Sequence, residues 1–224
     1  MLNILRSIAP DVLRTHIRMR RAYREHMRLE PKWVAIDPPL VAGAEVLNDV
    51  FELLDRLPKG AVGAEVGVAT GGLSLQMLKR AQPNKLYLID PWDVEDIEDY
   101  SPRSLARLEK TLSSQIASGQ VEIRRGYSQA ELPKLEANSI DWVYIDAAHD
   151  YDNVRLDLDA CARVVRPGGI IAGHDYVRWV SPTERYGVVE AVNEFANETA
   201  SKLTYLTNQL DKHDSFALTL GEVS

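Results

Sequence analysis

The chain alternates between short apolar runs and longer segments in which apolar residues recur every three or four positions. The first pattern predicts buried β-strands, and the second predicts amphipathic α-helices. The predicted strands are "AVGAEV", "KLYLID", "VEIRR", "DWVYID" and "GGIIAGHD". The predicted helices cover residues 41–57, 72–81, 101–117, 151–165 and 188–202. Apolar strands separated by helices require crossover connections, so the pattern predicts a parallel sheet covered by helices on both faces.

The two ends of the chain depart from this alternation. Near the C-terminus, the predicted strands "LTYLTNQ" and "SFALTL" are separated only by "LDKHD", and so short a link joins antiparallel strands. Near the N-terminus, the segment "EPKWVAIDPPL" contains three prolines, which predicts a break in regular structure. We therefore expect an N-terminal arm over residues 1–40 and an α/β domain over residues 41–224.

The arm has a charge of its own. Residues 1–32 carry seven arginines and one lysine against three acids, and their apolar residues recur at roughly helical spacing. One interpretation is a docking helix with a solvated basic face, which serves as a lid or as a subunit contact. The alternative is an arm that binds an anionic substrate, a nucleic acid or a partner protein.

The composition is that of a soluble globular protein, since 45% of the 224 residues are hydrophobic and 26% are charged. A net charge of −7 gives the surface no general attraction for nucleic acid or anionic lipid. The one cysteine, Cys161, excludes an internal disulfide and suits a reducing compartment. No apolar run approaches the roughly 20 residues that span a bilayer, so we expect a cytoplasmic protein.

The stretch "VGAEVGVATGGLSLQML" joins the first predicted strand to a helix through a glycine-rich turn. Glycines at this place let the backbone approach a ligand. The spacing Glu65-x-Gly67-x-x-x-Gly71 is not that of dinucleotide sites, and the carboxylate would repel a pyrophosphate but suit a cationic ligand. Asp90 ends the next strand, where an acid can accept hydrogen bonds from ribose hydroxyls. A tight turn without a ligand is the alternative, and the pairing with Asp90 disfavours it.

Polar residues also follow the fourth and fifth predicted strands. Asp146 and His149 come after "DWVYI", and His174 and Asp175 end "GGIIAGHD". Because parallel strands end at one edge of a sheet, we expect these four side chains to meet there. Each could alone cap a helix or a turn, but burying all of them without a ligand would be costly.

Several of these segments resemble class I S-adenosylmethionine-dependent methyltransferases: "AEVGVATGG", "YLIDPW", "IDWVYIDAAHDYDNVRLDLDACARVVRPGGIIAGHDY" and the terminal hairpin. Within that superfamily they resemble most the macrocin-type O-methyltransferases, relatives of antibiotic-sugar and glycan methyltransferases. The resemblance covers residues 41–220. It implies a Rossmann-like, doubly wound α/β fold whose seven-stranded sheet is mostly parallel, with an antiparallel last strand and helices on both faces.

The resemblance also assigns residues to the parts of S-adenosyl-L-methionine. Around its amino-acid end it places Glu65, Gly67, Val68, Gly71, Gly72 and Ser74, and Asp146 is also assigned to cofactor binding. Around its ribose it places Asp90, Pro91 and Trp92, and beside its adenine it places Gly126, Tyr127 and Ser128. Ordinary packing is the alternative for Trp92 and Tyr127.

Methyl transfer to a hydroxyl needs a general base, a metal ion that lowers the hydroxyl pKa, or both. In metal-dependent relatives, acids after strands four and five hold Mg²⁺ with a further Asp or Asn. The resemblance therefore assigns Asp146 and Asp175 as metal ligands, but the further position here is Tyr176. His174, an acid of "DVEDIEDY", water or the substrate would complete the set. The expected catalytic residues are His149 as the general base, Asp146 and His174.

The sequence thus predicts a Mg²⁺-assisted O-methyltransferase that acts on a hydroxyl of a sugar or of a glycosylated small molecule. The alternatives are another acceptor, such as a phenol, an amine or RNA, and a non-catalytic module that keeps the cofactor pocket. The fourth strand lacks an Asn/Asp-Pro-Pro-Tyr motif, which disfavours methylation of base amino groups. Segments 91–102 and 176–187 would close over the acceptor or contact a second subunit, and we expect a homodimer.

Overall fold

The computed structural model describes residues 34–95, 97–181, 184–209 and 213–221. The predicted basic helix of the arm lies outside these residues. The described strands are β1 (Glu45–Leu47), β2 (Val62–Val66), β3 (Lys85–Asp90), β4 (Val121–Arg125), β5 (Ile140–Ile145), β6 (Val165–Gly173), β7 (Trp179–Ser181), β8 (Glu184–Arg185), β9 (Lys202–Thr207) and β10 (Phe216–Thr219). The described helices are α1 (Pro38–Val41), α2 (Val50–Arg56), α3 (Gly72–Arg80), α4 (Pro102–Thr111), α5 (Ser113–Ala117), α6 (Ser128–Glu131), α7 (Tyr151–Val164) and α8 (Val188–Thr199). None of these helices has the length and apolar character needed to cross a bilayer.

Eight of the described strands form one sheet in the order β1-β9-β10-β6-β5-β2-β3-β4. Neighbouring strands are parallel except for β10, which runs antiparallel to both β6 and β9. This confirms the predicted Rossmann-like sheet, mostly parallel with an antiparallel last strand. The short strand β1 pairs with β9 at the edge, so the described sheet has eight strands where the resemblance implies seven.

Both faces of the sheet are covered, as the apolar strands predict. Side chains of β5 alternate between two buried clusters. Val143 and Ile145 pack with residues of α7 and α8, whereas Trp142 and Tyr144 pack with residues of α2 and α3. Burying one side chain of this size contributes roughly 1.5–3 kcal/mol. A strand buried on both faces needs apolar residues at every position, and "WVYI" has them.

The helix predicted over residues 41–57 is wrong. This segment forms the end of α1, strand β1 and helix α2. Gly43, with a φ of +89°, turns the chain after α1, and Asp49 caps α2 by accepting a hydrogen bond from the Glu52 backbone N–H at 2.8 Å. The spacing Asp49-x-x-Glu52 is typical of the start of a helix, and the spacing of apolar residues, on which the prediction was based, does not detect it.

The proline-rich segment before the domain is more regular than predicted. Two prolines occupy the first turn of α1, where a backbone N–H is not needed. The preceding residues run along α8. There Asn193 Nδ2 donates to the Val34 carbonyl at 2.8 Å, and Asn197 Nδ2 donates to the Ala35 carbonyl at 2.9 Å. Residues 34–40 therefore pack on the domain.

Candidate active site

The glycine turn after β2 packs directly against the end of β5. Gly67 has a φ of +84°, and a Cβ atom added there would lie 2.0 Å from the Asp146 carbonyl oxygen. The Gly67 N–H donates to the Ile89 carbonyl at 2.9 Å, and the Asp146 N–H donates to the Val66 carbonyl at 2.7 Å. Glycine satisfies both the backbone conformation and the close approach. The turn therefore fixes Asp146 beside the carboxyl end of β2.

Asp90, at the end of β3, holds the glycine turn from the other side. Its carboxylate accepts hydrogen bonds from the backbone N–H groups of Val68 (2.9 Å), Ala69 (3.0 Å) and Trp92 (2.8 Å). Two of these bonds go to Oδ2 and one goes to Oδ1, which leaves about one acceptor site on Oδ1 for a ligand hydroxyl. The predicted ribose-binding residue thus also fixes the shape of the turn.

A cavity of about 260 Å³ opens at the carboxyl ends of β2, β3, β4 and β5. Six of the predicted cofactor residues line it: Gly67, Asp90, Pro91, Gly126, Tyr127 and Ser128. Tyr127 is 60% exposed, and its hydroxyl donates to Asp93 at 2.8 Å. Trp92 does not line this cavity. Its ring is fully buried, and its indole N–H donates to the Ala69 carbonyl at 2.8 Å.

A second cavity, of about 390 Å³, lies on the side of the turn that faces α2 and α3. Gly72, Asp146 and His174 line it with apolar residues of both helices. Gly67 lines the first cavity and contacts the backbone of Asp146, which lines the second. Of the residues predicted for the amino-acid end of the cofactor, Gly72 lines the second cavity beside Asp146, Gly67 lines the first cavity, and Val68 and Gly71 line neither.

Glu65 and Ser74 are not among the residues that line either cavity. The Ser74 hydroxyl donates to the Glu65 carboxyl group, and each side chain is at most 1% exposed. Burial raises the pKa of Glu65 to about 8, against the lowering effect of the Ser74 hydrogen bond. Without a ligand this carboxyl group is mostly uncharged at pH 7. A cationic amine placed nearby would favour its ionised form.

We expect the Glu65→Gln variant to gain stability relative to the wild-type protein as the pH rises. The native pKa of about 8 lies above the ordinary value of 4.5, so between these values the native state binds more protons than the unfolded state. The contribution of Glu65 to the free energy of unfolding therefore falls with rising pH, and a neutral amide removes this effect. Urea unfolding from about pH 5 to pH 9 measures the difference. The exposed Glu136→Gln change is the control, and a wild-type–variant difference that does not vary with pH would contradict the prediction.

Asp175, which follows β6 and is 7% exposed, lies at the centre of a cluster of imidazoles. Its Oδ2 atom lies 2.7 Å from His149 Nε2 and 3.3 Å from His174 Nδ1, and its Oδ1 atom contacts His213 Nδ1. Burial alone would raise the pKa of Asp175, but the three imidazoles outweigh it and hold that pKa well below its usual value. Contact with Asp175 in turn raises the pKa of His149.

His213 is a member of this cluster that the sequence analysis missed. It lies in the connection between β9 and β10, which carries no motif. The topology nevertheless places it, because the start of β10 at Phe216 pairs with Gly173 at the end of β6. Residues just before an antiparallel last strand thus reach the edge where the parallel strands end. An antiparallel pairing of the terminal hairpin with the fifth predicted strand is the signal that places this connection beside Asp175.

Three of the clustered residues have the spacing of a metal site. One ligand atom from each of Asp146, His149 and Asp175 lies within 4.8 Å of the others. Two carboxylates and an imidazole at this distance fit a single divalent cation. The Tyr176 hydroxyl, at the position expected for a further acid, donates instead to Asn193 Oδ1 at 2.7 Å. The structure therefore groups both predicted metal ligands and adds His149 as a candidate.

Strands β7 and β8 form a small hairpin in a segment predicted to be irregular. Tyr186, just after this hairpin, stacks on the His149 imidazole with ring centroids 4.3 Å apart and an interplanar angle of 9°. The buried Glu190 of α8 pairs with Arg178 at 2.8 Å and with Arg185 at 2.6 Å. The segment predicted as an acceptor lid is thus tied to α8 and covers one face of His149.

These features together define a class of protein. A mostly parallel sheet with an antiparallel last strand, a glycine turn after β2 and an acid at the end of β3 characterise class I S-adenosylmethionine-dependent methyltransferases. A family model described as a methyltransferase domain matches residues 64–176, which is about half of the chain and includes the turn, Asp90, Asp146 and Asp175. The chain belongs to this methyltransferase family.

Solved structures share the fold at low sequence identity. Fibrillarin from Aeropyrum pernix, solved with S-adenosyl-L-methionine bound, is 15% identical over 76% of this chain and 73% of its own, with a TM-score of 0.54. A SAM-dependent methyltransferase from Aquifex aeolicus is 16% identical over 78% of this chain and 90% of its own, with a TM-score of 0.56. The pyocyanin biosynthetic protein PhzM is 15% identical with a TM-score of 0.57, and the match spans 76% of this chain but only 54% of PhzM. No curated protein matches the sequence significantly.

Proposed function

We propose that this methyltransferase transfers the methyl group of S-adenosyl-L-methionine to a hydroxyl group of a sugar or of a glycosylated small molecule. The observation that supports this proposal is the meeting of two carboxylates and three imidazoles beside the glycine turn. The methyl group of a sulfonium is already activated, so such a set of titratable groups serves the acceptor. The resemblance to macrocin-type enzymes supports a sugar as the acceptor.

The donor would span both cavities. The adenosine half would occupy the cavity of about 260 Å³, and the amino-acid half would occupy the cavity of about 390 Å³. The contact between Gly67 and Asp146 lies between these hollows, so the sulfonium would sit beside it. Its methyl group would then face the cluster around Asp175. Glu65 and Ser74 line neither cavity, so they would affect the donor from the side of the glycine turn that faces away from it.

In the reaction, an O–CH₃ bond forms as the S–CH₃ bond breaks. The sulfonium becomes a neutral thioether, and the acceptor hydroxyl must lose its proton. We assign His149 as the base, because its Nε2 atom faces Asp175 and Nδ1 remains for the acceptor proton. Asp175 would stabilise the imidazolium that forms, and Tyr186 would hold the plane of the ring. His174, which lines the cavity of about 390 Å³, is the second candidate base.

Asp146 and Asp175 would hold a divalent cation, which would lower the pKa of the acceptor hydroxyl when bound. Carboxylate oxygens favour Mg²⁺, the ion that we propose, and a nitrogen ligand from His149 would also admit Mn²⁺. The base would be His174 if His149 were a ligand. A homodimer in which segment 176–187 contributes to the subunit contact is compatible with this arrangement and is part of the proposal.

A methyl-transfer assay tests the proposal. With S-adenosyl-L-methionine and panels of sugars, phenols and RNA, we expect S-adenosylhomocysteine to form with sugar acceptors. Excess EDTA should lower the rate at least about tenfold, and Mg²⁺ should restore it. The His149→Ala variant should turn over about 100-fold more slowly, with unchanged affinity for the donor and partial recovery on addition of imidazole.

Each arm of this assay has its own contradicting outcome. Turnover that persists in excess EDTA would remove the cation from the mechanism. A His149→Ala variant with near-full turnover would remove His149 as the base. Transfer to phenols or RNA but not to sugars would replace the acceptor class while the methyltransferase assignment stands.

A further inference from the structure

The proposed reaction makes no use of His213, although this imidazole contacts Asp175 directly. The backbone around it is tied to the end of β6. The Tyr176 N–H donates to the Asp214 carbonyl at 2.8 Å, and Gln209 Nε2 donates to the His213 carbonyl at 3.1 Å. The Asp214 carboxylate in turn accepts a hydrogen bond from the Gln209 N–H at 3.0 Å. These bonds hold His213 beside Asp175.

The two oxygens of the Asp175 carboxylate face different partners. Oδ1 contacts His213 Nδ1, whereas Oδ2 lies 2.7 Å from His149 Nε2 and 3.3 Å from His174 Nδ1. A carboxylate that binds a cation is ionised and only accepts hydrogen bonds, so His213 Nδ1 must donate to Oδ1. His213 therefore engages one oxygen of Asp175, and the other oxygen faces the remaining imidazoles of the cluster.

The candidate cation site lies on the Oδ2 side of Asp175. Ligand atoms of His149, Asp146 and Asp175 lie within 4.8 Å of one another, and Oδ2 is the Asp175 oxygen that lies 2.7 Å from His149 Nε2. A cation that bound both oxygens of Asp175 would also approach the N–H group that His213 directs at Oδ1. The positive end of this group would repel the cation. Coordination through Oδ2 alone avoids this repulsion.

We propose that His213 is a positioning residue that restricts Asp175 to coordination through one oxygen and so biases the site toward Mg²⁺ and against Ca²⁺. The inference rests on the proposed function, because it requires a cation held by Asp146 and Asp175. Mg²⁺ demands a near-ideal octahedron of ligands at about 2.1 Å, and the two oxygens of one carboxylate are too close together to fill two of its corners. Ca²⁺ takes about six to eight oxygens at longer distances and accepts both oxygens of one carboxylate. Removal of the His213 N–H group would therefore release an oxygen that favours the larger ion.

Electron paramagnetic resonance of Mn²⁺ tests this inference without any turnover, because bound and free Mn²⁺ give different signals. The full-length protein is loaded with Mn²⁺ and titrated with Mg²⁺ or with Ca²⁺ as the competitor. We expect Mg²⁺ to displace Mn²⁺ from the wild-type protein at a concentration at least about tenfold lower than Ca²⁺ does. In His213→Leu this ratio should fall below about twofold, mainly because Ca²⁺ competes better.

The matched control is His213→Asn. Asparagine is close to leucine in size, but its Nδ2 atom can take the place of the imidazole Nδ1 and donate to Asp175 Oδ1. Both variants lose the ring that meets Tyr186 edge-on, with centroids 5.9 Å apart. A purely structural role of the ring would therefore change both variants alike, whereas the positioning role predicts that His213→Asn keeps the wild-type ratio.

The possible outcomes separate this inference from the proposed function. Stronger displacement by Ca²⁺ than by Mg²⁺ in the wild-type protein would overturn the inference, and so would an unchanged ratio in His213→Leu. Equal losses of selectivity in His213→Leu and His213→Asn would also overturn it, because the ring and not the N–H group would then be responsible. A wild-type protein that binds no Mn²⁺ would instead remove the cation from the proposed function, and the inference would fall with it.

Discussion

The Asp90→Ala variant will bind S-adenosyl-L-methionine about 1,000-fold more weakly than the wild-type protein, a loss of about 4 kcal/mol. Two effects add up to this value. The carboxylate loses its capacity to accept a ribose hydroxyl, and the N–H groups of Val68, Ala69 and Trp92 lose their common acceptor. Each buried N–H left without a partner costs roughly 1–3 kcal/mol, so the turn should relax away from the shape that the ligand needs.

Isothermal titration calorimetry with S-adenosyl-L-methionine and S-adenosylhomocysteine measures this loss. Asp99→Ala, which removes an exposed acid from the connection after β3, is the control and should bind both compounds as the wild-type protein does. Asp90→Asn keeps one accepting oxygen, so its affinity for both compounds should lie between those of Asp90→Ala and Asp99→Ala. If Asp90→Ala bound S-adenosyl-L-methionine with an affinity within about tenfold of that of the wild-type protein, the assignment of this cavity to the donor would be contradicted.

The parts of the fold that follow from local chemistry were predictable from the sequence. The strands β2, β3 and β5 are buried over most of their length, so most of their residues are apolar, and each appears in the sequence as a mainly apolar run. The cap of α4 is equally local, since Ser101 accepts the hydrogen bond from the Ser104 N–H and Pro102 begins the helix. The position of Asp146 and Asp175 at one edge followed from parallel strands alone.

The parts that were missed depend on contacts between distant residues. The division of residues 41–57 into β1 and α2 requires β9 as a pairing partner, about 160 residues further along the chain. The position of His213 beside Asp175 requires the register of β10 on β6. The buried Asp157 gave no signal in a helix rich in acids, because its partners Ser128 and Gln129 lie about 30 residues earlier.

The second large effect is on stability. The Gly67→Ala variant should lose about 4 kcal/mol of the free energy of unfolding, whereas Gly72→Ala should be neutral or slightly stabilising. Residue 67 has a φ of +84°, and its added Cβ would lie 2.0 Å from the Asp146 carbonyl oxygen, a backbone atom that moves only with the end of β5. At residue 72 the nearest atom to an added Cβ is Thr70 Oγ1, at 3.9 Å. Alanine also favours the helix that begins there.

Urea unfolding of both variants measures this difference, and the pair is matched because each adds one methyl group to the same turn. The strain in Gly67→Ala can be relieved only by separating the ends of β2 and β5, which would also move Asp146 away from His149 and Asp175. Donor affinity and turnover should therefore fall with stability in this variant. Equal stabilities for the two variants would show that the turn does not constrain the end of β5, and the geometry of the proposed site would lose its physical basis.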